Sequence, residues 1–85
     1  MTTNIYDQEA AWKVGDNRHL ILQTCDDGYD YTLFNEEFVE IDGGQLDMPE
    51  LTMEQARDEI LQDFGLENNT FETVDYDYVL EQAGM

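Results

Sequence analysis

The chain has 85 residues, of which 21 are Asp or Glu and only three are Lys or Arg, for a formal net charge of −18. That length makes one domain with a small core. A hydrophobic content of 41% argues against wholesale disorder, and the negative field opposes direct contact with nucleic acid or an anionic membrane while attracting basic surfaces.

Charge is unevenly spread. Residues 1–25 hold Asp7, Glu9 and Asp16 against Lys13 and Arg18, a net −1, and residues 26–85 hold the other eighteen acids against Arg57 alone, a net −17. The single Cys25 excludes an internal disulfide and fits a reducing cytoplasm. There is no signal-peptide pattern, and no apolar run approaches the ~20 residues of a membrane span. These features predict a cytoplasmic protein.

Residues 1–9 read as a loose N-terminal segment of a single domain spanning 1–85, with Ile5 and Tyr6 tacking it down. "AAWKVG" is a short candidate strand with Trp12 and Val14 on one side, and Trp12 reads as a core anchor rather than a ligand platform. "RHLILQTC" is a strand with Leu20 and Leu22 on one face, Ile21 and Gln23 on the other. "DDG" turns the chain, and "YDYTLFN" follows with Tyr29, Tyr31 and Leu33 opposite Asp30, Thr32 and Phe34. After a turn at "NEE", "FVEIDG" predicts a strand with Val39 and Ile41 inward and Glu40 and Asp42 outward. Gly43 and Gly44 are expected to end it. The alternation implies a sheet with one face covered and one facing water.

Thr52 begins the clearest helix. "TMEQ" fits a capping box, Met53, Ala56, Ile60, Leu61 and Phe64 form an apolar stripe, and Gly65 with Leu66 suits a Schellman ending. "ENNTFETV" reads as a loop, with a short strand around Phe71–Val74 as the alternative. Tyr76, Val79, Leu80 and Ala83 then predict a short C-terminal helix capped by Asp75, too short to hold unless docked. The predicted fold is α+β: a three- to four-stranded antiparallel β-meander, one main helix (about 52–64) packed on one face, and a short C-terminal helix.

Catalytic chemistry has little to stand on. His19 is the only histidine and Cys25 the only cysteine, and on one strand they are about 20 Å apart, too far to act as a nucleophile and base. His19 reads as an ordinary strand-end residue. Cys25, beside Asp26 and Asp27, lacks the surroundings of a reactive thiol. Zinc lacks soft ligands. "CDDGYDY" and "EIDGGQLD" hold fragments of calcium-loop grammar without its spacing. No enzyme, cofactor or metal is predicted.

The acids themselves are informative. Glu54–Asp58 and Glu59–Asp63 are like-charge pairs four residues apart, mildly destabilising on a helix. A net charge of magnitude ~2–8 normally keeps a small domain soluble, so −18 exceeds that need; a salt-adapted host is the other source of such composition.

The string "DDGYDYTLFNEEFVEIDGGQLDMPELTMEQARDEIL" resembles small α+β domains of the large polyvalent proteins of phages and conjugative elements, found also as free-standing proteins in gut Firmicutes. "DGYDYTLF", "IDGGQLD" and "TMEQARDEIL" carry the likeness, which covers roughly residues 18–66. The resemblance implies a mobile-element setting and brings no catalytic residues. The expected role is a non-enzymatic acidic accessory protein engaging a basic protein surface, such as that of a nucleic-acid-binding protein, with nucleic-acid mimicry as its extreme form. The expected contact residues are Asp30, Glu36, Glu37, Glu40, Asp42, Glu54 and Asp58. The rival expectation is a structural module that docks or dimerises through a sheet edge or through Tyr76 and Tyr78.

Overall fold

The computed structural model describes residues 8–15, 17–25, 27–66 and 70–84. The expected anchoring by Ile5 and Tyr6 lies outside them. The element order is β1 (Glu9–Val14), β2 (Arg18–Cys25), β3 (Gly28–Phe34), β4 (Glu40–Leu46), α1 (Met53–Asp63), β5 (Phe71–Val74) and α2 (Tyr76–Gln82). The strands form one five-stranded antiparallel sheet in the order β4-β3-β2-β1-β5.

Alternation along each strand divides the core between the two faces. Trp12, Val14, Leu20, Leu22, Tyr29 and Leu33 lie on one face and pack with Met53, Ala56, Ile60 and Leu61 of α1. Ala11, Ile21 and Phe34 lie on the other and pack with Val79 of α2. The expectation that one face stays open to water is therefore corrected. The seven-residue α2 sits on that second face, where Leu80, Ala83 and Tyr76 extend its contact. The expected three to four strands are corrected to five: β5 adds beside β1, where Val14 faces Phe71 and Ala11 faces Val74, rather than next to β4.

The main helix starts and stops as its sequence dictates. The Gln55 amide donates to Thr52 Oγ1 at 3.1 Å, and the Thr52 amide donates to Gln55 Oε1 at 2.9 Å. At the other end Gly65 takes φ 71, its N–H donates to the Gln62 carbonyl, and Leu66 N–H donates to the Leu61 carbonyl at 2.7 Å. This is the paired hydrogen bonding of a Schellman ending. Thr52→Ala removes the first cap and should destabilise the domain by about 1 kcal/mol, read from urea unfolding at unchanged m-value; an unchanged midpoint would mean the cap is redundant.

The β4 region departs most from expectation. The strand begins at Glu40 and runs through Gly43 and Gly44 to Leu46, so the glycines lie inside it. They belong there because β3 crowds them. A Cβ on Gly44 would lie 3.0 Å from the Tyr31 hydroxyl and 3.2 Å from its ring, so the Tyr31 side chain occupies the space a residue 44 side chain would need. An aromatic covering a glycine across an edge pair is a known way of fixing register. Val39 and Ile41, expected inward, are 55% and 49% exposed. Alternation gives the side to which a residue points, but β4 is the outermost strand and neither helical core reaches these two residues. A register shift between Leu33 and Phe34 further displaces Ile41 from regular pairing.

Candidate functional site

The turn before β4 is built by one side chain. Asn35 Oδ1 accepts hydrogen bonds from Glu37 N (2.8 Å) and Val39 N (3.0 Å), while Asn35 N donates to the Val39 carbonyl. Phe38 closes this loop at φ 60, a left-handed conformation uncommon for an aromatic residue. The loop leaves Glu36 and Glu37 in solvent.

All seven predicted contact acids are exposed, but they do not share one face. Asp30 alternates with Tyr29 and so points to the α2 side of the sheet. Asp42 pairs with Leu33 and so points to the α1 side. Glu40 opens β4 opposite Phe34, and Glu36 and Glu37 stand in the turn between. Glu54 and Asp58 lie on α1, where Asp58 Oδ1 accepts from Arg57 Nε and Nη2 at 3.0 and 2.8 Å. The sequence shows which side chains are charged; it does not show how the sheet distributes them.

A polarity across the sheet groups them better. Lys13 lies on β1 and Arg18 opens β2. The Arg57 guanidinium stacks over Phe71 of β5 at 4.1 Å and Trp12 of β1 at 5.3 Å. From residue 19 to residue 56 there are ten acids and no Lys or Arg. The β3–β4 half of the sheet therefore carries Asp30, Glu36, Glu37, Glu40 and Asp42 with no cation of its own. Two tyrosines lie between this half-sheet and the acids of α1. Burial, then the charges of Asp42 and Asp63, push the Tyr31 phenol above its ordinary pKa; burial, then Glu54, do the same for Tyr29. Tyr29 donates a hydrogen bond to the Leu51 carbonyl, tying the segment before α1 to the sheet. Among the described residues, Arg57–Asp58 is the one ion pair, and no buried position is polar or charged. Sixteen of the seventeen described carboxylates thus stand in solvent without an ion-pair partner there.

A second feature lies on the α2 side. An open cleft of about 380 Å³ is lined by Lys13, Asn17, His19, Glu36, Phe38, Val74 and Tyr78. The left-handed turn at Phe38 lays its ring on His19, with centroids 4.5 Å apart, and Tyr78 meets Phe38 edge-on at 6.2 Å. His19 Nδ1 is buried and makes no hydrogen bond among the described residues. The stack was hidden in the sequence because it depends on the positive φ at Phe38. Burial, then the nearby Lys13 charge, lower the His19 pKa from its ordinary 6.5. The unfolded chain then takes up a proton near pH 6.5 that the folded chain resists. The stability contributed by neutral His19 is whole above that pH and is lost as pH falls to the folded value. Unfolding measured from about pH 7.5 to 5.5 should show a steeper loss in the wild type than in His19→Phe; parallel curves would contradict this. The carboxylates common to both chains drop out of the comparison.

Among the described residues, no group of three His, Cys, Asp or Glu side chains is placed to hold a metal ion, and no helix is long and apolar enough to cross a membrane. A family model described as large polyvalent protein-associated domain 16 matches residues 6–85, so the likeness extends beyond residues 18–66 in both directions. No curated protein and no solved structure matches.

Proposed function

The chain belongs to the family of large polyvalent protein-associated domain 16, and from that premise we propose that it is a non-enzymatic, cytoplasmic binding domain that engages a basic protein surface through the acidic β3–β4 half of its sheet. The observation that supports this reading best is the lack of compensation: the carboxylates are exposed, one ion pair stands among the described residues, and the three bases sit toward β1, β2 and β5. Unpaired like charges oppose folding and are retained here beyond what solubility requires. A partner carrying Lys or Arg would relieve that repulsion on binding, and the field would speed its approach. The mobile-element setting suggested by the family's association with large polyvalent proteins makes a nucleic-acid-binding protein the partner class to examine first.

The test is the affinity for a basic partner as a function of salt. Raising NaCl from about 50 mM to about 500 mM shortens the screening length from roughly 14 to 4 Å, so complex formation should weaken steeply. Affinity independent of salt would contradict the proposal. The exposed apolar residues Ile41 on the outermost strand and Val39 just before it favour one elaboration of it.

A further inference from the structure

We propose that the outer edge of β4 receives an extended basic segment of the partner as a sixth strand of the sheet, an inference that rests on reading this domain as a binding module for a basic surface. The strand pairs with β3 on one side only, leaving backbone donors and acceptors along the other, among which the Gly43 N–H donates to Asp42 Oδ1 at 2.8 Å and would have to exchange that bond for one to an incoming strand. Every β4 residue before Leu46 is exposed. Edge strands are commonly blunted by charge, proline or bulges; residues 39–47 contain no lysine or proline, and the charges that β4 carries, Glu40 and Asp42, repel an acidic strand and attract a basic one. The register shift disturbs only the start of the strand, leaving Asp42 to Leu46 in continuous pairing with β3. Gly43 and Gly44 present no side chain to obstruct a neighbouring strand.

Charge selects the occupant. Glu40 and Asp42 lie on β4, and Glu36 and Glu37 stand at its entrance. A segment alternating Lys or Arg with apolar residues would set its cations on the α1 side beside Asp42 and its apolar side chains on the other side beside Ile41, with Glu36, Glu37 and Glu40 adding negative field at the entrance. This is strand addition, in which the main chain supplies affinity and alternate side chains supply specificity. A second copy is the wrong partner, because β4–β4 pairing would crowd Glu40 and Asp42 of two chains that each carry −18. The opposite edge is a poorer acceptor: β5 has four residues, and Arg57 is stacked on its Phe71.

The test uses the full chain and two synthetic heptapeptides of equal charge, one alternating lysine with valine and the other alternating lysine with proline. Proline removes ladder donors and holds the peptide out of the β conformation. At about 50 mM NaCl the lysine–valine peptide should bind at least about tenfold more tightly. It alone should slow hydrogen exchange at the β4 amides that face away from β3. Equal affinities without β4 protection would overturn the edge inference and leave the charge-driven reading standing. Failure of both peptides to bind at low salt would overturn both. Concentration-dependent protection of β4 without any peptide would make a second copy the occupant and overturn the assignment to a basic partner.

Discussion

Replacing Gly28 with alanine should lower stability by about 3 kcal/mol or more, because backbone strain and backbone collision coincide at this position. Gly28 begins β3 at φ 150, where L-residues are rarely found. A Cβ built there falls 2.0 Å from the Leu46 carbonyl oxygen and 2.9 Å from the Met48 amide nitrogen. Neither neighbour is a side-chain tip that can swing aside, so the end of β4 would have to move and its pairing with Tyr29 would be lost. A chain of this length has a total stability of roughly 4–13 kcal/mol, and a loss of this size lowers the melting midpoint by roughly 12–24 °C. Gly65→Ala is the control. Gly65 has φ 71 but nothing within 4 Å of a built Cβ, so that change carries strain alone, about 1 kcal/mol. Equal melting shifts for the two variants, followed by circular dichroism, would show that the close approach at Gly28 is not what holds this corner.

Reversing Glu36 and Glu37 together to lysine should weaken binding to a basic partner about tenfold to a hundredfold at low salt, while leaving the fold intact or slightly more stable. The two predictions separate because the fold uses only the backbone here: Asn35 Oδ1 is bonded by the Glu37 and Val39 amides, and the side chains of Glu36 and Glu37 are exposed. Each reversal changes the local charge by two units in a half-sheet that has no cation. Self-repulsion therefore falls as attraction for the partner falls. A variant that loses binding because it unfolds would show a lower melting midpoint, and the melt accompanies the affinity measurement for that reason. Unchanged low-salt affinity in the folded variant would remove these two acids from the contact surface.

Most of the fold was legible because local chemistry and tertiary packing agree. Thr52 and Gln55 form the box their spacing implies, Gly65 and Leu66 end the helix as written, and the alternation in β1 to β3 sorts Leu20 and Leu22 from Ile21 correctly. Prediction failed where the answer depended on what lies above a strand. Val39 and Ile41 carry the same alternating signature as Leu20 and Leu22, yet no helix covers them, and coverage is set by helix reach and strand order. The glycines of β4 read as a stop because what makes them fit within the strand, the Tyr31 ring over Gly44 and the Tyr31 carbonyl beside Gly43, comes from the neighbouring strand. In the candidate site, the identity and exposure of the seven acids were legible. Their division between the two faces was not, and neither was the gathering of all three cations toward the other half of the sheet.

The most direct measurement compares two folded variants of identical net charge across a salt series: Glu36→Lys with Glu37→Lys at the β4 entrance, and Glu9→Lys with Glu81→Lys, on β1 and α2. Recognition by the acidic half of the sheet predicts that the first variant loses most of the salt-sensitive affinity for a basic partner while the second stays close to the wild type. Equal losses in the two would show that total charge alone governs the attraction, and would contradict a localised binding surface.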